Sequence, residues 1–259
     1  VRQSNTYIIV FSLILTAVLG GLLSGVSQVL GPTQKKAQDL DTKKQILGAI
    51  PAEKTKLGDM SPEEILARYA EVISSEVADY EGNLVTTNEK GEPLVAENVN
   101  IEKNYKKPAE ERVYPVFKYR NGNEVAYILP TYGAGLWDAI WGFVALNEDL
   151  ETIKGVTFSH KGETPGLGAR ITTDEVQERY QGKSIVENQE LVSVTMIKGE
   201  GNPPSKLDDT KVDGLAGATL TANGVNAMLL NYLGYYQAYF NKHSANANAN
   251  ADAMSMNNQ

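Results

Sequence analysis

The stretch YIIVFSLILTAVLGGLLSGVSQVL, from Tyr7 to Leu30, contains no charged residue. At about 1.5 Å of rise per residue, roughly 20 apolar residues in a helix cross a hydrocarbon core. One transmembrane helix is therefore expected, with residues 1–32 as an anchor. A cleaved signal peptide is the competing reading, with LLSGVSQ as its cleavage region, but the apolar run outlasts a typical core of roughly 7–15 residues. Gly21 and Gly25 have the spacing that lets a second helix pack closely. No ionisable side chain lies within the span, so this helix carries no ion path by itself. Arg2 precedes it, and Lys35, Lys36, Lys43 and Lys44 follow. Counted alone, these cations would leave the remainder in the cytoplasm, yet long domains cross largely regardless of charge. The charge count leaves orientation open.

The rest of the 259 residues suffices for one large core or two small ones. A net charge of −8 argues against nucleic acid as a partner. The absence of cysteine excludes thiol catalysis, disulfides and thiolate-ligated clusters. With two histidines, His160 and His243, no histidine metal site is expected. No P-loop, paired-carboxylate or His-Glu-x-x-His pattern is present, so no catalytic residues are expected.

Gly31-Pro32 is expected to end the first helix, and Gln34 to Ile50 to form a polar one. Ser61, Pro62 and Glu64 are the start signals of another helix, with a capping box. Its apolar face would hold Ile65, Leu66, Tyr69, Val72 and Ile73. From about Tyr80 the pattern becomes extended. Asn121-Gly122 marks a hairpin, and Pro115 suggests that its first strand lies at an edge. A second hairpin is expected from Ile140 to His160, turning at 147–149, and another strand from Leu191 to Ile197. Val225, Met228, Leu229, Tyr232 and Leu233 have the spacing of an amphipathic helix. The tail 243–259 is low in complexity and expected to be disordered.

Two glycine-rich stretches invite chemistry. DGLAGATLTANGV, residues 213–225, places small residues and Thr219 and Thr221 just before the amphipathic helix. Small residues allow close approach of the backbone, and a helix start offers free N–H groups to an anion such as phosphate. HKGETPGLGAR, residues 160–170, is a turn whose N–H groups form an anion-binding nest or merely an ordered loop. Glu163 and Arg170 are expected to pair within it. Gly133-x-Gly135 fails as a dinucleotide fingerprint, because Asp138 stands where the third glycine belongs. Trp137 and Trp141 are read either as core or as the border of an aromatic ligand.

GETPGLG and DGLAGATLT together resemble the flavin-binding domains of membrane redox complexes. GLWDAIWGFVAL, with the single amino-terminal helix, is similar to the version in the C subunits of the sodium-translocating NADH:quinone oxidoreductases. The likeness spans most of residues 112–233. It implies a mixed α/β (α+β) fold, with a curved, mainly antiparallel sheet, flanking helices and one preceding transmembrane helix. It divides the chain into the anchor, an accessory region 33–110, an FMN-binding domain 111–242 and the tail.

The resemblance further implies FMN in phosphoester linkage to Thr221, with Thr219, Gly217, Ala218 and Leu220 around the attachment point. Asp213 matches the acidic residue of the motif and is implied to help present the acceptor in a Mg²⁺-dependent attachment. Glu163, Thr164, Gly166, Leu167, Gly168 and Trp137 are implied contacts of the flavin ring. Ala216 stands where the family often has serine. The implied role is one-electron transfer within a six-subunit complex that oxidises NADH, reduces quinone and pumps sodium. No complete activity is expected from this chain alone. Its implied partners are the other five subunits, an FMN transferase that draws on FAD, and membrane lipid. The soluble part would face the periplasmic side of the inner membrane. The G subunit of the Rnf electron transport complex shares both flavin motifs but differs at GLWDAIWGFVAL. A membrane-anchored module that holds a free phosphate ligand, without redox chemistry, is the alternative from another class.

Overall fold

A computed structural model describes the backbone of residues 4–88 and 90–256, with side chains described up to residue 243. Two compact units divide the chain, one up to Thr42 and one from Lys43 onward. Helix α1 (Asn5–Gly48) carries the apolar stretch, whose side chains are exposed from Tyr7 to Leu30. By length and composition it is able to cross a membrane.

The expected stop at Gly31-Pro32 is absent, because Pro32 lies inside α1. Proline removes one backbone hydrogen bond and crowds the carbonyl four residues back. Good helix formers follow it, Gln34 to Ala37, and the helix continues. The anchor and residues 33–48 thus differ in polarity, not in secondary structure.

In the second unit, the end of α1 buries Ile46 and Leu47. Helices α2 (Pro51–Lys54) and α3 (Pro62–Val72) follow. The capping box of α3 is formed: Ser61 Oγ accepts from the Glu64 N–H at 3.3 Å, and Glu64 accepts from the Ser61 N–H at 2.8 Å. Ile65, Tyr69 and Val72 are buried, whereas Leu66, expected among them, is exposed. Ile73 has left the helix for strand β1 (Ile73–Ala78), so the extended texture begins earlier than the sequence suggests.

Helix α4 (Ile101–Tyr105) precedes β2 (Tyr114–Asn121), β3 (Glu124–Ala134), β4 (Ala139–Asn147) and β5 (Ile153–His160). Strands β1 to β5 form one antiparallel sheet in chain order. Both expected hairpins are present; Asn121 faces Glu124 across Gly122, whose φ is 60°. Pro115 does not mark an edge, because β2 lies between β1 and β3 with Pro115 opposite Val77. The missing N–H leaves nothing unpaired there, since the Val77 carbonyl accepts from the Val85 N–H at 2.9 Å.

Beyond β5 come α5 (Asp174–Glu178), the hairpin β6–β7 (Val186–Glu187 and Glu190–Leu191), and the parallel pair β8–β9 (Thr195–Met196 and Lys211–Val212). The single strand expected over 191–197 is broken at Ser193, whose φ of 62° lies outside the extended region. Helix α6 (Thr219–Met256) closes the described chain. It stays helical through the tail expected to be disordered, where alanine, the strongest helix former, alternates with asparagine. Residues 257–259 of that tail lie outside the described residues.

The period-two alternation of the strands buries both faces of the sheet. Val116, Leu129, Val144, Val156 and Phe158 join Val225, Leu229, Leu233 and Tyr236 of α6 in one cluster. Phe117, Tyr119, Ile128 and Phe143 are also buried, from alternate positions. On that second face Thr157 Oγ1 donates to the Gln45 carbonyl at 3.2 Å, and Tyr119 donates to Glu53 at 2.9 Å. Arg68 grips Glu53 with two of its nitrogens, Nε at 3.0 Å and Nη2 at 2.5 Å.

Candidate functional site

The four residues between β3 and β4 make a tight turn, closed by the Gly135 N–H donating to the Asp138 carbonyl at 2.8 Å. Its next two N–H groups, of Leu136 and Trp137, donate to Glu163 Oε1 at 2.8 and 3.0 Å. A Cβ at Gly135 would overlap that oxygen, so glycine is needed for the carboxylate to reach the turn. Glu163 follows β5 and is fastened there by its own N–H, which donates to His160 Nδ1 at 3.2 Å. Its other oxygen accepts from Thr221 Oγ1 at 2.5 Å. Glu163 is 4% exposed and Thr221 is 1% exposed.

The expected pairing of Glu163 with Arg170 is therefore wrong. Three donors from the β3–β4 turn and α6 occupy Glu163, while Arg170, within the turn of helix at Gly168–Thr172, pairs with Glu200 at 2.6 Å. Glu200 also meets Arg179 at 3.2 Å and accepts from the Ala216 N–H at 3.1 Å. Arg170, then the Ala216 N–H and Arg179, draw the Glu200 carboxyl down to about 2. Arg179 reaches the carbonyls of Asp213 and Gly214 at 3.1 and 2.7 Å. This network fastens the 213–217 loop.

Asp213 makes its hydrogen bonds to a neighbouring loop and not to Thr221. Its oxygens accept from the N–H groups of Gly201, Asn202 and Gly214 and from the Asn202 side chain. Burial pushes its carboxyl up, but these four bonds outweigh that and hold it below the usual carboxylate range. Asp213 orders a loop.

The turn 164–168 covers Thr221. The Thr164 carbonyl accepts from the N–H groups of Leu167 and Ala169, both at 3.1 Å, and Gly166 takes φ 76°. Gly168 is buried, and a Cβ there would overlap both Glu163 and Thr221 Oγ1. Gly217, at φ 73°, lies under Leu167. Trp137 Nε1 donates to Thr164 Oγ1 at 3.2 Å while 69% of the residue is exposed. Trp137 is thus no core residue; Trp141 is half-buried on β4.

Ala218 caps α6, its carbonyl accepting from the Ala222 N–H at 2.9 Å. Thr219, Leu220 and Thr221 are the first three helical residues, whose N–H groups lack partners within the helix. Thr219 is half-buried, and Leu220 is exposed.

The structure brings Thr221, Glu163, Gly168, Gly217, Leu167, Thr164 and Trp137 to one end of the sheet. Sequence reasoning missed Gly135, Leu136, Glu200 and Arg179, which hold the site together. It also missed Gly224, where a Cβ would overlap the Ala134 carbonyl; Gly224 lies in the quoted stretch, and a glycine inside a helical pattern is a signal of close packing.

Residues 135–234 match the family described as FMN-binding domain. The chain is 32% identical to the C subunit of the Na⁺-translocating NADH-quinone reductase of Pseudomonas aeruginosa, over 90% of this chain and 93% of that protein. The chain belongs to the family of these C subunits. The corresponding protein of Chlamydia muridarum is also 32% identical, over 89% of this chain and 90% of its own length. The crystal structure of the C subunit from Parabacteroides distasonis superposes with a TM-score of 0.69 at 33% identity, covering 82% of this chain and 96% of that one.

Proposed function

We propose that this C-subunit relative is a membrane-anchored flavoprotein that carries one FMN in ester linkage to Thr221. In this reading it relays electrons singly within a sodium-translocating NADH:quinone reductase. The observation that carries the reading is the convergence of Thr221, two close-approach glycines and exposed Trp137 at one place within the stretch that matches the FMN-binding domain. The residues present suit a phosphate and a flat ring. Gly168 and Gly217 let the backbone close on Thr221 and Leu167, where a Cβ would overlap, and the first turn of α6 offers N–H groups and a positive dipole end to an anion. Trp137, Leu167 and Leu220 are exposed apolar side chains and would flank the ring.

The flavin supplies the redox chemistry. The chain binds, orients and retains it, since a covalent bond keeps the cofactor in place at each reduction. The α1 anchor holds the domain at the membrane, with the soluble part on the periplasmic side, among the other five subunits. A dedicated transferase delivers FMN from flavin adenine dinucleotide. A denaturing gel of the chain made with that transferase tests this: a fluorescent band is expected, lost in Thr221→Ala. A colourless wild-type band would favour a module that holds a free phosphate ligand, and fluorescence persisting in the variant would move the acceptor to Thr219.

A further inference from the structure

We propose that the groove between residues 93–95 and α4 is a docking surface for an acidic segment of another subunit. This rests on the reading of the chain as one subunit of a larger reductase. The groove encloses about 240 Å³, and its lining includes Leu94, Val95, Val99 and Val113 together with Lys103 and Lys107. Among the described residues no carboxylate lines it, although the chain carries a net charge of −8. Both lysines are exposed. Their neighbour Lys106 pairs with Glu102 at 2.8 Å, whereas among the described residues neither Lys103 nor Lys107 pairs with a carboxylate. Apolar walls beside unpaired cations match a partner that brings apolar side chains and the opposite charge.

The groove is preformed. Asn104, on α4, pins its base: the side-chain amide donates to the Val113 carbonyl at 2.8 Å, and Oδ1 accepts from the Val113 N–H at 3.1 Å. A surface already ordered loses little freedom when a partner binds. Arg112 adds a third cation without a carboxylate partner among the described residues. Its Nε donates to the Lys107 carbonyl at 2.8 Å, and the guanidinium carbon lies 5.1 and 4.9 Å from the ring centres of Tyr105 and Tyr235. Past Leu94, Lys107 and Val113 the groove continues into a second cavity of about 480 Å³. Four carboxylates, of Asp79, Glu92, Glu110 and Glu111, line that larger half. Charge therefore directs an acidic segment to the smaller half, beside Lys103 and Lys107.

The test is made on the assembled complex with a water-soluble carbodiimide, which joins a lysine amine to a touching carboxylate as an amide and takes up the water lost as its urea. The expected product, found by peptide mass, links Lys103 or Lys107 to an aspartate or glutamate of another subunit. Links from these lysines to this chain's own acids only, or no links, overturn the proposal. A second measurement co-expresses wild type with the double variant Lys103→Glu, Lys107→Glu and reads the ratio of the two chains in the purified complex. Both side chains are exposed, so the isolated variant is expected to melt with wild type. Its share of the complex is expected to be about tenfold lower. Equal shares overturn the proposal, and equal shares with a loss of binding to phosphatidylglycerol vesicles assign the groove to the membrane instead. A wild-type chain that purifies without any other subunit overturns the reading of a complex subunit, and the proposal with it. A complete complex with neither the link nor the deficit overturns the proposal alone.

Discussion

Two glutamates are buried among the described residues, and their surroundings differ. Glu53 is 0% exposed and gripped by the Arg68 guanidinium, with Tyr119 adding a hydroxyl. Arg68 holds its carboxyl below the usual range, against the effect of burial. Glu163 has two backbone N–H groups and one threonine hydroxyl. A buried carboxylate neutralised by a guanidinium ties α2, α3 and β2 together and has nothing left to offer. A carboxylate held by two backbone N–H groups and a threonine hydroxyl joins the β3–β4 turn to the start of α6. The first is architecture, and the second belongs to the site.

Breaking the Glu53 region should cost the most stability. Arg68→Met leaves the buried carboxylate with Lys56, 3.7 Å away, as its remaining cation, and losses of this kind run to about 3–5 kcal/mol. Thermal or urea unfolding would measure it, and flavin loading per folded molecule should match wild type. Reduced loading would mean that the two regions are not independent.

Gly168→Ala strikes the other region. Its methyl group would overlap Thr221 Oγ1 and Glu163. Overpacking of this kind costs about 1–3 kcal/mol, and label incorporation should be lost, as read by flavin fluorescence on a denaturing gel.

Acid titration sharpens the comparison at the loop between them. The folded Glu200 carboxyl titrates near 2, below its ordinary 4.5. The stability it provides is therefore fully present above about pH 4.5 and fades as pH falls toward 2. Part-exposed pairs contribute about 0–1 kcal/mol, so Glu200→Gln should melt a few degrees lower at neutral pH and converge on wild type in acid. The smallest effect is expected of Trp137→Ala. An exposed side chain changes stability by about 0.5 kcal/mol or less, but the flavin absorption spectrum of the loaded chain should shift.

Local signals were legible where one short stretch decides the outcome. The Ser61 capping box, the Asn121-Gly122 hairpin and the buried face of α6 all follow from spacing alone. The helix start at Thr219 was legible for the same reason, since its glycines, threonines and the apolar helical spacing are contiguous. What was hidden depends on distant partners. Pro115 misled because the Val85 N–H, not that of residue 115, serves the Val77 carbonyl. Glu163 and Arg170 look like partners in sequence, but donors from residues 136, 137 and 221 reach one, and Glu200 reaches the other. Ser193 breaks a strand through its own backbone dihedral, which the Leu191–Ile197 pattern does not encode.

The most direct measurement is the mass of the proteolytic peptide containing Thr221, from the mature chain made in its native host. The expected peptide is heavier than its amino acids by one FMN less one water, with fragmentation assigning the addition to Thr221. A peptide of unmodified mass would contradict the flavoprotein reading outright.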